Sequence, residues 1–197
     1  MSAAQRETPT KVILLLIDPQ LDFHDTLAGS AATVKKTPKP IADEDQREWM
    51  IKKAPTMNGS LMVDGSAVDS VAISHMIMTH MKDIDEIYVT LDTHHVNHIG
   101  HAAFWWKGDV DKKIEPTALK DTIKHADIVA KRYQPKDQSL MDHVLHYSQQ
   151  LENKGNFTEM NIWPEHCLIG TSGHAVVENI NQGRDDFPRP HLPFPPL

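Results

Sequence analysis

The chain has 197 residues, of which 40% are hydrophobic, and its formal net charge is −7. This length suits one α/β domain with a substantial core and is short for two domains. The negative charge argues against nucleic acid as a partner, since nucleic-acid binding needs a basic face.

The first predicted element is a buried strand, Val12 to Ile17, which ends at Asp18-Pro19. A continuous apolar strand favours a parallel sheet covered on both faces. The run is far shorter than the ~20 residues of a membrane span. No signal peptide is recognisable, and the single cysteine fits a reducing compartment. We therefore expect a cytoplasmic protein without a membrane partner.

After a polar stretch over 26–57, predicted to be an insert, the sequence indicates a helix. Ser66 is the predicted N-cap, Asp69 completes a capping box, and the helix is expected to run to about Lys82. One side of this helix carries a stripe that we interpret as core packing rather than a cofactor pocket. The stripe consists of Val68, Val71, Ala72, His75, Met76 and Met78.

Ile84 to Leu91 is the second predicted strand, so that the order strand–helix–strand predicts a right-handed crossover in a doubly wound sheet. Ligands of such sheets bind beyond the carboxyl ends of the strands. Asp18 and Asp92 occupy that position on the first and second strands. Both are therefore candidate site residues.

A histidine-rich stretch follows the second strand, from Thr90 to Phe104. Asp92 and His94 are two residues apart, and their side chains are expected to leave the same face at the strand end. An open set of one carboxylate and two imidazoles predicts a first-row metal site, with zinc or iron favoured over calcium. The alternative is a polar loop without a metal, because the chain carries 13 histidines.

The rest of the chain contains a long predicted insert, 105–160, with one helical stretch from Ser139 to Lys154. A loop over 162–173 leads into the start of another predicted helix, 173–182. The last 15 residues, 183–197, are rich in proline, which predicts a tail that is neither helix nor central strand.

Three motifs stand in order along the chain: Asp18-Pro-Gln-Leu-Asp-Phe23, Asp92-Thr-His94 with His98, and Trp163-Pro-Glu-His-Cys-Leu-Ile-Gly-Thr171. Together they resemble the nicotinamidase group of the isochorismatase-like cysteine hydrolases. The resemblance covers residues 11–182 apart from the two inserts. It implies a three-layer, Rossmann-like parallel sheet of the isochorismatase-like hydrolase type.

The resemblance also implies site residues. Asp18 corresponds to the aspartate of an Asp–Lys–Cys catalytic triad, Phe23 to a phenylalanine that lines the amide pocket, and Trp163 to a tryptophan that flanks the aromatic substrate. The implied ligands of a divalent metal, zinc with iron or manganese as alternatives, are Asp92, His94, His166 and, in some members, His98. His101 is the alternative to His98, because its distance to Phe104 also resembles the family pattern.

The later part of the family's catalytic machinery has no counterpart here, since no cysteine follows Cys167 and no lysine follows Lys154. We therefore expect a C-terminally incomplete hydrolase domain over 1–182, with its later strands missing and an unrelated tail. Loss of those strands is expected to expose an apolar sheet edge, which favours poor solubility or association with a partner, including a second copy.

Three functions remain open at this point. The first is metal-dependent hydrolysis of a small amide, nicotinamide to nicotinate and ammonia in NAD salvage, although this chain lacks the expected nucleophile. The second is a catalytically inactive metal-binding protein that keeps Asp92, His94 and His166. The third is an isochorismatase-type hydrolase of another small substrate.

Overall fold

The computed structural model of the protein describes residues 11–27, 48, 51–155 and 159–185. Within them the fold is mixed α/β, with small two-stranded sheets. The strands are β1 (Ile13–Leu16), β2 (Glu86–Val89), β3 (Trp105–Lys107), β4 (Thr122–Ile123), β5 (Tyr133–Pro135) and β6 (Met160–Asn161). The helices are α1 (Ser66–His80), α2 (His125–Val129), α3 (Met141–Asn153) and α4 (Glu178–Asp185). None of the helices in these ranges is long and apolar enough to cross a membrane.

The chain divides into two compact units. The first unit comprises Met1–Asn58, Met62–Asp92 and Ala175–Leu197, and the second comprises Gly59–Leu61 and Thr93–His174. The first therefore contains β1, α1, β2 and α4, and the second contains the remaining strands and helices.

In the first unit, β1 and β2 pair in parallel, with Ile13 opposite Glu86 and Leu16 opposite Val89. Helix α1 lies between these strands in the chain, so that the predicted order of strand, helix and strand is confirmed. Both strands are shorter than predicted, because pairing stops before Ile17 and at Val89.

The two faces of this sheet differ in burial. Leu16 is 6% exposed and packs in a core with Ile77 and Ile180, whereas Leu15 is 54% exposed. Among the described residues only one face of β1 is covered, so the prediction of a strand covered on both faces is wrong. An apolar run specifies strand propensity at every position, but packing elements decide which side chains are removed from water, and α1 and α4 supply a core on one face only.

This difference in burial predicts unequal effects of two neighbouring substitutions. Leu16→Ala should lower the free energy of unfolding by about 2–5 kcal/mol, because it leaves a cavity in a packed core. Leu15→Ala should lower it by less than about 1 kcal/mol, because the side chain is largely in water. Urea unfolding followed by circular dichroism measures both values. Equal losses for the two variants would contradict the one-sided burial of β1.

Helix α1 begins at Ser66, but its cap differs from the sequence prediction. The N-cap is Gly65, with φ of 89° and no capping side chain of its own. The buried carboxylate of Asp25 accepts hydrogen bonds from the backbone N–H of Gly65 (2.9 Å) and of Ala67 (2.8 Å) and from the Ser66 hydroxyl (3.1 Å). The predicted capping box of Ser66 and Asp69 is therefore wrong, because a distant aspartate already occupies the helix N-terminus.

The buried face of α1 is also different from the predicted stripe, and the helix ends at His80 rather than at about Lys82. Val68 and Val71 are buried as predicted, whereas Met76 is exposed. The buried positions of the helix are Ala67, Val68, Ser70, Val71, Ser74 and Ile77. The two buried serines both have hydrogen-bond partners on Asn179 of α4. The side-chain amide of Asn179 donates to the Ser70 hydroxyl (2.9 Å), and its backbone carbonyl accepts from the Ser74 hydroxyl (2.9 Å).

The second unit is built on two antiparallel pairs, β3 with β5 and β4 with β6. Its core surrounds Trp105, which is fully buried together with Ile123, Ile128, Val144 and Ile162. The predicted helix at 139–154 is confirmed as α3, and Gly155 follows it with φ of 73°. The strands of this region were not predicted, because two or three residues are too few to establish an alternating pattern.

The last described helix, α4, begins at Glu178, five residues after the predicted start at Gly173. It continues to Asp185, past the boundary at 182 from which a non-helical tail was predicted. The remainder of that tail, 186–197, lies outside the described residues, as do residues 1–10 and most of the predicted insert at 26–57.

Candidate metal centre

Two backbone bridges in the second unit hold the histidine-rich stretch against the segment that contains His166. At one end, the His94 N–H donates to the Cys167 carbonyl (3.1 Å), and the Ile169 N–H donates to the His94 carbonyl (3.0 Å). At the other end, the Trp163 N–H donates to the Gly100 carbonyl (2.8 Å). Two segments that are about 70 residues apart in the chain are therefore fixed in register, with their histidines on adjacent backbone.

Trp105 joins this loop to the core of the second unit. Its indole N–H donates to the carbonyl of Ile99 (2.7 Å), while its ring is fully buried in the core around Ile162. A rigid aromatic side chain thus supports the loop directly before His101. Sequence reasoning missed this role, although the indole N–H of a buried tryptophan usually finds a hydrogen-bond partner.

Four imidazole rings come together at these bridges. The ring centroid of His94 lies 4.4 Å from that of His98, 5.1 Å from that of His101 and 4.8 Å from that of His166. His101 is also 5.4 Å from His166. Candidate ligand atoms of His94, His98 and His101 all lie within 4.8 Å of one another. Imidazole clusters of this size are typical of sites for zinc and other first-row transition metals.

His101 is the most informative member of this cluster. The side chain is fully buried, and its Nε2 has no hydrogen-bond partner among the residues that the structure describes. The other ring nitrogen, Nδ1, lies 3.4 Å from the Val96 carbonyl, which can only accept and therefore favours a proton on Nδ1. Nε2 then carries a lone pair. A buried polar atom without a partner is costly, and coordination of a metal ion would remove that cost.

The ionisation of His101 agrees with this role. Burial is the main reason that the pKa of His101 is lowered to about 4; the hydrogen bond to the Val96 carbonyl opposes this shift, and the neighbouring His98, His166 and His94 contribute to it. The ring is therefore neutral at pH 7. A neutral imidazole is the form that binds metal ions, so no proton has to be displaced from this residue.

His166 has a similar arrangement. Its Nδ1 lies 2.7 Å from the Pro164 carbonyl, which again favours the proton on Nδ1 and leaves Nε2 as the candidate ligand atom. Metal-binding histidines commonly donate their second N–H to a backbone carbonyl in this way, which fixes the tautomer and the ring orientation. The following residue, Cys167, adopts a positive φ of 47° and has a fully buried side chain.

His98 differs from the other three histidines, because it is exposed and its Nδ1 accepts a hydrogen bond from the Gly100 N–H (3.2 Å). A Cβ atom at Gly100 would lie 3.2 Å from two atoms of this ring. His98 and His101, the two alternatives that the sequence left open, thus both belong to the cluster. Burial and hydrogen bonding favour His101 as the more strongly held ligand.

The predicted carboxylates lie in the first unit. Asp92 is its last residue before the chain enters the second unit, and both its backbone N–H and its carbonyl bond to the Gln20 side chain. Asp18 follows β1 with φ of 50°, and its carboxylate accepts a hydrogen bond from the Thr90 hydroxyl (2.7 Å). Within this unit, both aspartates follow the carboxyl ends of the parallel strands, as predicted.

The two predicted aromatic site residues lie in different units. Phe23 is half-buried in a short 3₁₀ turn, Leu21–Phe23, of the first unit. Trp163 belongs to the second unit, is 39% exposed and lies next to the cluster through its bridge with His101. Trp163 therefore lies in the same unit as the histidine cluster and next to it.

Comparison with known proteins gives no match: no family model, curated protein or solved structure is significantly similar to this chain.

Proposed function

We propose that this protein binds a divalent transition-metal ion, preferentially zinc, through its histidine cluster. The observation that carries the proposal is the buried Nε2 of His101, which lies among three other imidazoles and has no hydrogen-bond partner in the described part of the chain. His94, His101 and His166 are the proposed core ligands, with His98 as an additional ligand. Nitrogen ligands of this kind suit zinc and iron better than manganese, and magnesium and calcium least.

Asp92 is proposed as the carboxylate ligand. It precedes His94 by two residues, so the backbone keeps the two Cα atoms within about 7 Å of each other. A site of histidines with one carboxylate that keeps a coordination position open could bind a small molecule or a water at the metal.

Zinc titration of the metal-free, untagged protein tests this function. With a competing chromophoric chelator we expect one zinc per chain, with a dissociation constant of about 1 µM or tighter. His94→Ala and His166→Ala should each weaken binding by about 100-fold or more, because a buried ligand is lost. The double variant His143→Ala/His146→Ala is the control, since these exposed histidines lie on α3, outside the cluster. Equal binding by all four proteins would reject the cluster as the metal site.

The motifs support a second candidate function, nicotinamidase-type hydrolysis of a small amide by a cytoplasmic enzyme. With this function goes a proposed fold, in which β1, α1 and β2 are the beginning of a three-layer structure with a Rossmann-like parallel sheet. The specific observation in its favour is that Asp18 and Asp92 follow the carboxyl ends of the parallel pair. The isochorismatase-type alternative draws on the same motifs but gives no reason for a metal.

The obstacle to catalysis is the nucleophile. Cys167 is the single cysteine of the chain, and its side chain is fully buried. We therefore propose metal binding without amide hydrolysis for this chain. Ammonia release from nicotinamide, followed with a coupled dehydrogenase in the presence of zinc, is expected to equal that of the Asp18→Ala variant. Faster release by the wild-type protein would establish the hydrolase instead.

A further inference from the structure

His98 holds its ring proton on a different nitrogen from two other histidines of the cluster, all within the second unit. The Nδ1 atoms of His101 and His166 face backbone carbonyls, so that their Nε2 atoms carry the lone pairs. At His98 the arrangement is reversed, because its Nδ1 accepts a hydrogen bond from the Gly100 N–H (3.2 Å). The neutral His98 ring therefore carries its proton on Nε2. Two histidines are thus ready for coordination before a metal ion binds, whereas His98 is not.

Coordination by His98 requires the loss of its hydrogen bond to Gly100, whichever ring nitrogen binds the metal ion. If Nδ1 binds, its lone pair is no longer available to the Gly100 N–H. If Nε2 binds, the ring proton has to be on Nδ1, which then meets the Gly100 N–H as a second donor. The ring is neutral in both cases. His98 therefore has two alternative partners, the metal ion and a backbone N–H, and its release from the metal restores a hydrogen bond.

His98 also lies on the side of the cluster that faces solvent. Its side chain is exposed, whereas those of His101 and His166 are buried. It nevertheless belongs to the cluster, since its ring centroid lies 4.4 Å from that of His94 and 5.2 Å from that of His101. Release of His98 from a metal ion would therefore open a coordination position toward solvent, and an open position can take up a small molecule.

We propose that His98 is an exchangeable ligand, which leaves the metal ion for the Gly100 N–H when a small nitrogen donor binds from solution. The ligands His94, His101 and His166 remain bound. This inference rests on the proposed metal-binding function and adds the class of molecule that the ion takes up. The incoming molecule replaces an imidazole nitrogen, so a neutral donor with the same lone-pair chemistry suits the position, and imidazole itself is the probe.

Two affinities test the exchange. His98→Ala should weaken zinc binding by about 10-fold or less, against about 100-fold or more for His101→Ala, because release of His98 is partly offset by its hydrogen bond. Imidazole, titrated into the cobalt-loaded protein and followed by visible absorption, should bind to His98→Ala about 10-fold or more tightly than to the wild type, because no side chain competes. His95→Ala is the matched control, an exposed histidine outside the cluster, and should behave as the wild type in both.

Nitrogen-15 NMR of histidine-labelled protein reports the exchange itself. Without metal, His98 should show the tautomer with the proton on Nε2, and His101 and His166 the tautomer with the proton on Nδ1. Zinc should change the signals of all three residues. Saturating imidazole should then return only the His98 signals, assigned by their absence from His98→Ala, to the metal-free pattern. A histidine with a structural role alone would respond to neither addition.

The other outcomes separate a wrong inference from a wrong function. The exchange would be overturned by His98 signals that do not respond to zinc, by equal imidazole affinities of the wild type and His98→Ala, or by imidazole that removes zinc while His98 is still bound. A loss of about 100-fold in His98→Ala would overturn it too, since His98 would then be held as firmly as a buried ligand. Each of these results leaves a histidine metal site in place. A wild-type protein that binds no zinc would reject the proposed function itself, and this inference with it.

Discussion

Replacing His101 by leucine is expected to abolish tight zinc binding without destabilising the metal-free protein. The substitution removes a proposed ligand, which should weaken zinc affinity by about 100-fold or more. It also removes the buried Nε2, for which the described ranges of the chain offer no hydrogen-bond partner. Since an unsatisfied buried polar atom costs about 1–3 kcal/mol, the metal-free variant should be equally stable or more stable by up to that amount.

This combination distinguishes a metal ligand from a structural histidine. Replacing a histidine that supports the fold would destabilise the protein even in the absence of metal. Replacing a metal ligand removes only the additional stability that the bound metal supplies. At zinc concentrations about 100 times the dissociation constant, that stabilisation is about 2.7 kcal/mol. Thermal unfolding of both proteins, each with and without zinc, measures the four values that are needed.

The control is His95→Leu, the same substitution at an exposed histidine outside the cluster. It should keep both zinc affinity and the stabilisation by zinc. If His101→Leu instead unfolds the metal-free protein while His95→Leu does not, the assignment of His101 as a ligand would be wrong.

Loss of the Asp25 carboxylate is expected to destabilise the first unit strongly. Asp25→Ala leaves the buried N–H groups of Gly65 and Ala67 without this acceptor and removes one of the two acceptors of the Ser66 hydroxyl, which keeps the Val63 carbonyl (2.6 Å). Helix caps contribute about 0.5–2 kcal/mol, and hydrogen bonds to a charged group about 1.5–3 kcal/mol each. We expect the free energy of unfolding to fall by about 3 kcal/mol.

Asp69→Ala provides the comparison, because Asp69 is the residue that the sequence pattern assigns to the cap. It is exposed in the first turn of α1, where a carboxylate contributes only about 0.3–1 kcal/mol through the helix dipole. Chemical denaturation should therefore give a loss for Asp25→Ala that is several times larger. A larger loss for Asp69→Ala would mean that the local capping box forms after all.

Local patterns explain which parts of the structure could be predicted. The apolar run of β1, the helix at α1, the helix at α3 and the placement of Asp92 beside His94 each depend on residues close together in the chain. Propensity and periodicity act over such distances, so these features can be derived from the sequence.

Partners that are distant in sequence explain most of the errors. The true cap of α1 comes from Asp25, 40 residues before Gly65, and the serines on its buried face are satisfied by Asn179, more than 100 residues away. The wrong prediction for the exposed face of β1 has the same cause, because the sequence of a strand does not specify which elements pack against it.

By itself, the sequence determined that this protein carries a parallel strand pair joined through a helix and a histidine-rich loop directly after it. The motifs already assigned His94 and His166 to one metal with either His98 or His101. Tertiary structure alone decided that His98 and His101 both join them in one cluster, and that the His101 Nε2 is buried with no hydrogen-bond partner among the described residues. The physical reason is that the burial of the His101 ring depends on where the histidine-rich stretch pairs with the segment at 163–169. That pairing is made by backbone N–H and carbonyl groups, which every residue type offers, so the side chains do not specify its register.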